Sequence, residues 1–205
     1  YREVGSSYGH ITENAEGKIK FIPSSLKIFL STIGNCEKEN FEIKLQKKKS
    51  FFKDQILENC SNQNSCGKWN IDIEKYKKEY HKECFPENYD IEKLCHEYLE
   101  GMQWVLSYYT RGVPNWKWFF NHHYAPPASV LALYIDSFEM VNYDSTNPTT
   151  PFQQLLCVLP PKSSSLLPSP LSNFLSDEDS PLKKFCPDEL RIDLAGKRRE
   201  WEGIV

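Results

Sequence analysis

The stretch 95–129, CHEYLEGMQWVLSYYTRGVPNWKWFFNHHYAPPAS, decides how the rest of the chain is organised. A helical pattern runs into it, in which apolar side chains recur at steps of three and four residues, at Ile91, Leu94, Cys95, Tyr98, Leu99, Met102, Val105, Leu106 and Tyr109. Asp90 is a typical N-cap residue, and Gly112 followed by Pro114 is a typical stop signal. We therefore predict a helix of roughly 20 residues between them, about 30 Å long.

The residues after this helix form a loop that is dense in aromatic side chains, including Trp116 and Trp118. Exposed rigid aromatic rings can stack on the bases of single-stranded nucleic acid, each contributing about 1–3 kcal/mol. Cations and imidazoles that can contact phosphates or bases lie close by, at Arg111, Lys117, His122 and His123. Alternatively, the two tryptophans fill the core beneath the helix, as large aromatic residues usually do. Because side chains at i and i+2 of an extended segment point to opposite sides, one indole can be buried while the other stays open.

The overall composition is that of a globular protein. Of the 205 residues, 40% are hydrophobic and 14% are aromatic, so the chain can bury a core. The formal net charge of −3 gives no general attraction to polyanions, and nucleic-acid binding would have to rest on stacking or on local basic patches. No apolar run approaches the roughly 18 residues of a membrane span, so we expect an intracellular protein without a membrane partner. The chain opens at Tyr1 without methionine, and we expect it to be a segment of a longer protein.

The cysteines and acidic residues do not predict a metal site. The seven cysteines include no C-x-x-C pair, which is typical of reduced thiols in an intracellular protein. A zinc site is conceivable, but the spacing of its candidate ligands fits no common pattern: His81, Cys84, Cys95 and His96. Adjacent histidines at 122 and 123 point apart, and a hydrogen-bonded structural histidine is the simpler interpretation. The acidic run 177–179 can attract magnesium, although Asp177 ahead of Ser180 also fits a loop turn or helix cap.

The part of the chain before the long helix divides into two segments. Residues 1–45 predict a turn-rich lead-in and then a helix capped by Ser24 or Ser25. Residues 46–89 are rich in charge, asparagine and serine, and we predict a mobile insert because such a segment buries little apolar surface. Within this insert, residues 76–85 favour a short helix.

The third segment, residues 90–205, continues beyond the aromatic loop with weaker signals. The apolar run 130–138 fits a helix or a strand equally well. Thr150 with Gln153 predicts a capping box at the start of a short helix that ends at Pro160, and a proline-rich loop follows. The last residues alternate on both sides of a turn at Ala195, which predicts a terminal β-hairpin. The expected fold is therefore mainly α with long ordered loops and a C-terminal β-hairpin.

The stretch YLEGMQWVLSYYTRGVPNWKWFFNHHYAPPAS at 98–129 resembles the signature of the second conserved region of the Xrn-type 5′→3′ exoribonucleases. The family pattern reads approximately Y-x-x-G-L-x-W-V-L-x-Y-Y, then G-x-x-S-W-x-W-Y-Y, then H-Y-A-P-F-A-S-D. PFQQLLCVLP at 151–160 and RIDLAGKRREWEGIV at 191–205 resemble later family blocks in the same order. The chain departs from the pattern at Asn121 (for Pro), Pro127 (for Phe), Val130 (for Asp), Cys186 (for Tyr) and Ala195 (for Asn).

This resemblance implies the helical middle region of a magnesium-dependent nuclease that degrades 5′-monophosphorylated RNA to mononucleotides. The family's catalytic acidic cluster lies upstream, so the resemblance implies no catalytic residue and no metal ligand in this segment, which should be inactive when isolated. Its expected partners are single-stranded RNA and the N-terminal catalytic region of the same chain. The resemblance also implies a tryptophan that stacks on the 5′-terminal base, and the motif position favours Trp116 over Trp118. The alternatives are a non-catalytic RNA-binding module and a structural scaffold.

Overall fold

The chain folds into helices joined by ordered loops, in a computed structural model that describes residues 9–47, 51–87, 89–186 and 192–204. The helices are α1 (Pro23–Asn35), α2 (Glu37–Lys47), α3 (Gln55–Asn59), α4 (Ile73–Cys84), α5 (Ile91–Arg111), α6 (Ala128–Leu131), α7 (Pro151–Val158) and α8 (Ser169–Ser176). Short 3-10 turns lie at Pro161–Leu166, Lys183–Phe185 and Glu200–Glu202. The predicted mainly α fold is confirmed. None of the helices in the described ranges is both long and apolar enough to cross a membrane.

The strands in these ranges form two small antiparallel hairpins. Strand β1 (Thr12–Ala15) pairs with β2 (Lys18–Phe21), and β3 (Ser61–Gln63) pairs with β4 (Trp69–Ile71). The first hairpin turns through Glu16 and Gly17, both at positive φ. It occupies the segment that the sequence predicted only as a turn-rich lead-in, and it places β2 against α5.

Helix α5 confirms the predicted helix and its boundaries. The Asp90 side chain accepts the backbone N–H of Glu92 at 2.9 Å, which caps the first turn. At the other end Gly112 has a φ of 93°, a conformation that a residue with a Cβ rarely adopts. The predicted apolar stripe is buried in the first half of the helix, at Leu94, Cys95 and Leu99. In the second half it is open to solvent, and Tyr109 is 80% exposed.

The first core lies where α1, α5 and α6 meet. It consists of the buried residues Leu26, Leu30, Cys95, Leu99, Leu131, Ala132 and Ile135. The run 130–138, which the pattern left open, is the end of α6 followed by turns. The predicted cap of α1 at Ser24 or Ser25 was wrong, because Ile22 precedes the helix and Pro23 occupies its first position. Proline fits there because its fixed φ is helical and the first turn needs no intrahelical N–H donor.

The described part of the 46–89 segment, which we expected to be mobile, contains α3, the second hairpin and α4. It surrounds a second core made of the buried residues Leu57, Cys60, Ile71 and Tyr76, against which Phe41 and Leu45 of α2 pack. The polar turn of the hairpin is closed by Asn64, whose side chain accepts the backbone N–H groups of Cys66 at 3.0 Å and Lys68 at 2.9 Å. The composition of residues 46–89 did not predict this folded unit, because its few apolar residues pack together with those of α2. The short helix predicted at 76–85 lies within α4.

The C-terminal part follows the predictions only near its start. Gln153 Oε1 accepts the backbone N–H of Thr150 at 2.9 Å, and α7 begins at Pro151 as expected. The predicted proline-rich loop instead contains α8, because Pro168 and Pro170 precede or open the helix and do not interrupt it. The predicted terminal hairpin is not confirmed, since the described residues there form only one bridge, Asp193 with Ile204. Residues 190, 191 and 205, which were part of that prediction, lie outside the described residues.

Candidate nucleic-acid interface

Asn115 organises the aromatic loop that follows α5. Its Oδ1 accepts the backbone N–H of Lys117 at 2.7 Å and that of Trp118 at 2.9 Å. Its Nδ2 donates to the carbonyl of Asp144 at 3.1 Å, and its own carbonyl accepts the Trp104 indole N–H at 3.0 Å. Asn115 thus ties the loop to α5 through its backbone carbonyl and to the segment 142–149 through its side chain. Asn115 was not among the residues predicted from the sequence, although asparagine directly after proline is a recognised turn signal.

The two loop indoles point to different environments. Trp118 stacks on Trp104 with ring centroids 5.7 Å apart, and a Cβ added at Gly101 would come within 2.9 Å of its ring. Trp116 is 52% exposed, and its backbone N–H donates to Thr146 Oγ1 at 2.7 Å. The core and stacking interpretations therefore divide between the two residues. Trp118 packs against the helix, and Trp116 presents an open ring on a fixed backbone.

Trp118 also borders an apolar groove of about 520 Å³ on α5. The other side chains that line it include Phe21, Tyr98, Met102, Tyr109 and Phe120. Burial raises the pKa of Glu100 above its ordinary value, while a hydrogen bond with the Trp118 side chain acts in the opposite direction. The polar group of this indole is thus committed to the protein itself.

Of the two adjacent histidines, as of the two tryptophans, one is packed against the protein and the other is exposed. His122 Nε2 lies 2.9 Å from Glu97 Oε2, and the His122 side chain is only 9% exposed. Its ring is surrounded by those of Phe85, Tyr89 and Phe120, with centroid distances of 4.9 to 5.6 Å. This is the hydrogen-bonded structural histidine that the sequence favoured over a metal ligand. His123 is exposed.

Two exposed cationic residues lie close to Trp116 in the sequence. Lys117 is exposed beside Trp116. Arg111, at the end of α5, is exposed, and its Nη2 donates to Ser107 Oγ at 3.2 Å. Of the six predicted RNA-contacting residues, four therefore have exposed side chains: Arg111, Trp116, Lys117 and His123. The other two, Trp118 and His122, are packed against the body of the protein.

The segment after the histidines is attached to the rest of the chain by long-range hydrogen bonds. Tyr124 donates its hydroxyl to Asp193 Oδ2 at 2.5 Å, and the backbone N–H of Ser129 donates to Glu37 Oε1 at 3.0 Å. Val130, which replaces the family aspartate, packs against the first core. The loop therefore has a defined position relative to both α2 and the C-terminal segment.

The acidic run at 177–179 is a turn. Asp177 Oδ1 accepts the backbone N–H of Asp179 at 3.0 Å, and Glu178 forms an ion pair with Lys183 at 3.1 Å. Across the described ranges no three His, Cys, Asp or Glu side chains converge in a way that could hold a metal ion. All seven cysteines are free thiols.

Comparison with known proteins gives a consistent match. Residues 34–205 match the family described as the Xrn1 helical domain. The 5′-3′ exoribonuclease 1 of Saccharomyces cerevisiae is 41% identical over 141 residues, which is 67% of this chain and 9% of that protein. The 5′-3′ exoribonuclease 2 of Cryptococcus neoformans is 39% identical over 134 residues, or 63% and 12% of the two chains. The human 5′-3′ exoribonuclease 1 is 39% identical over 108 residues, or 53% and 6%. The matched region therefore spans only a small fraction of the length of these relatives.

Proposed function

This chain belongs to the Xrn1 helical domain family found in 5′-3′ exoribonucleases, and we propose that it serves as the middle region of such an enzyme. In this proposal the complete enzyme is intracellular and degrades 5′-monophosphorylated RNA to mononucleotides. The segment shapes the channel to the active site and holds the 5′-terminal base of a single strand against Trp116.

The exposed ring of Trp116 on a fixed backbone is the observation that carries this proposal. Asn115 and Thr146 fix the backbone on both sides of the ring by hydrogen bonds of 2.7 to 3.1 Å. A ring on an ordered backbone needs less ordering of the chain when a base stacks on it. Lys117 adds a neighbouring positive charge that can contact a phosphate. Stacking on such a ring contributes about 1–3 kcal/mol per base and tolerates any base.

Hydrolysis itself requires residues from elsewhere. The described residues do not fit a magnesium site, because none of their carboxylates, imidazoles and thiols form a group of three or more. We assign no step of hydrolysis to them. The proposal places the magnesium ligands and the 5′-phosphate pocket in the N-terminal catalytic region of the same polypeptide. Incubation of the 205-residue chain with 5′-phosphorylated RNA and magnesium should therefore release no mononucleotides.

The stacking role is tested by Trp116→Ala in the complete enzyme. Binding of a 5′-phosphorylated oligouridylate is measured by fluorescence anisotropy without magnesium, so that the RNA stays intact. We expect the dissociation constant to rise about 5- to 150-fold, corresponding to the loss of one stacked base at about 1–3 kcal/mol. Trp116→Phe keeps an aromatic face and should retain most of the affinity.

Trp118→Ala is the matched control on the same loop. It removes a ring that packs on Trp104, so we expect a lower melting temperature as its main effect. A Trp116→Ala variant with unchanged RNA affinity would refute the stacking role. If that variant instead lost thermal stability as Trp118→Ala does, the scaffold function would be the better description.

A further inference from the structure

A cleft of about 630 Å³ lies beside the Trp116 loop and is separate from the apolar groove. Its walls are β2, the last turns of α5 and the segment 140–143. Polar groups on these walls include Gln103, Ser107 and Asn142. Its volume is within the range of cavities that hold small ligands or parts of larger ones.

The charge of this cleft is opposite in sign to that of the chain. Three cationic side chains line it, Lys18, Lys20 and Arg111, and no Asp or Glu of the described residues does so. Lys18 and Lys20 are two residues apart on β2, so their side chains lie on the same face of the strand. Glu13, opposite Lys20 in the hairpin register, is not part of the lining. None of the three cations forms an ion pair within the described ranges.

The guanidinium of Arg111 is held in place on the cleft wall. It donates a hydrogen bond to the Oγ of Ser107, a serine that is buried one turn earlier on α5. The lysines are flexible point charges, whereas the guanidinium of Arg111 is planar and makes one hydrogen bond to the protein. A net charge of −3 for the whole chain shows that the cluster does not simply reflect a basic protein.

The cleft and the open indole share both of their supporting chain segments. Arg111 and Pro114 line the cleft, and Trp116 follows two residues after Pro114. On the opposite wall, Val141–Tyr143 line the cleft, and the next residues supply the hydrogen bonds that hold Asn115 and Trp116. The same two chain segments therefore form part of the cleft wall and carry the residue with the exposed ring.

We propose that this cleft binds phosphodiester groups of the RNA strand whose end stacks on Trp116, an inference that rests on the proposed function. Cations without a base-shaped pocket contact the backbone and do not read sequence. Such contacts neutralise phosphates and release counterions, so they make affinity depend on salt. Stacking on an indole adds affinity with little effect on that dependence.

The test is the double variant Lys18→Gln/Lys20→Gln in the complete enzyme, with Lys78→Gln/Lys82→Gln as the control. The control removes two exposed lysines from α4 that do not line the cleft. Affinity for a 5′-phosphorylated oligouridylate is measured by anisotropy over a range of salt concentrations, without magnesium. A plot of log affinity against log salt has a negative slope, and for single strands each lost phosphate contact reduces the magnitude of that slope by about 0.7. We therefore expect the double variant to reduce the magnitude by about 1.4.

The cleft and the stacking role fail in different ways. Trp116→Ala should lower affinity at every salt concentration and leave the salt dependence unchanged. The cleft variant should reduce the magnitude of the slope of log affinity against log salt. A cleft variant with the same slope as its control would overturn the inference, whatever Trp116→Ala does. A reduced slope together with an inert Trp116→Ala would keep the cleft and refute the proposed stacking. The single variants Lys18→Gln and Lys20→Gln should each lower the slope by about half as much.

Discussion

At the scale of single residues, Glu37 of α2 makes a contact with Ser129, which is 92 residues away in the sequence. Its Oε1 accepts the backbone N–H of Ser129 at 3.0 Å and its Oε2 accepts the hydroxyl at 2.6 Å. The carboxylate is only 13% exposed, and Lys77 lies 3.8 Å away. Gly34 permits the close approach, since a Cβ there would come within 2.7 Å of Ser129. One carboxylate thus connects α2 to the segment that carries the candidate interface.

Replacement of this carboxylate by an amide should destabilise the chain. In Glu37→Gln one of the two Ser129 donors faces an NH₂ group, and the charge beside Lys77 is lost. Hydrogen bonds to a charged acceptor contribute more than neutral ones, so we expect the free energy of unfolding to fall by about 1–3 kcal/mol. Urea denaturation followed by circular dichroism measures this change.

Glu39→Gln is the matched control for Glu37→Gln. Glu39 is exposed and lies in the same first turn of α2, so its replacement makes the same change in charge near the helix N-terminus. Equal destabilisation by the two variants would mean that the helix end, and not the contact with Ser129, is responsible.

At the scale of elements, α5 combines a buried half with an open half. Glu100 lies at the junction of the two, next to Gly101 and the Trp118 ring. Burial raises its pKa most strongly, the Trp118 hydrogen bond lowers it, and the neighbouring charge of Glu97 raises it again. The net shift is upward, so the folded chain holds a proton on this carboxyl more tightly than the unfolded chain does.

This shift predicts a pH dependence that Glu100→Gln should remove. Since the folded pKa is higher, the folded state binds more protons between the ordinary value of 4.5 and the raised value. Stability of the unsubstituted chain therefore falls as pH rises through this window, because the carboxylate must ionise in a partly buried site. Glutamine keeps an acceptor for the Trp118 hydrogen bond but does not ionise. The difference between the urea midpoint of Glu100→Gln and that of the unsubstituted chain should increase from pH 4 upward and then become constant.

A difference between the two midpoints that stays constant with pH would contradict this assignment. A difference that shrinks as pH rises would show that the Trp118 hydrogen bond outweighs burial and that the pKa is lowered instead.

At the scale of the whole molecule, the described residues form two separate cores, and each contains a buried cysteine. Cys95 is in the first core and Cys60 is in the second. Burial raises the pKa of Cys95 to about 12 and also raises that of Cys60. Because the thiolate is the reactive form, both should be protected as long as their core is folded.

Thiol labelling checks both cores in one experiment. With a disulfide reagent near pH 8, the three exposed cysteines, Cys36, Cys66 and Cys157, should react first in the native chain. Cys60 and Cys95 should react only as fast as their core opens, and all seven should react in denaturant. Peptide mass mapping identifies the labelled positions. Early labelling of Cys60 would show that the second core is not closed in solution, as the composition of the 46–89 segment led us to expect.

The sequence by itself determined the features that depend on neighbours within a few residues. The cap at Asp90, the end of the helix at Gly112 and the Gln153 contact with Thr150 are all local, and each was predicted from its own window. The family resemblance also follows from the order of short motifs. For the same reason the aromatic loop after the helix was proposed as a candidate site before any contact was known.

Only the tertiary structure decided which side of each element is covered. Trp116 and Trp118 have the same chemistry and nearly the same position, and their difference arises from Trp104 and Gly101 on another element. The core of the 46–89 segment was missed because α2 completes it, and the cationic cleft was missed because β2 and α5 come together only in the fold. Burial and charge clustering depend on segments that are remote in sequence, and a local pattern carries no information about which of them will meet.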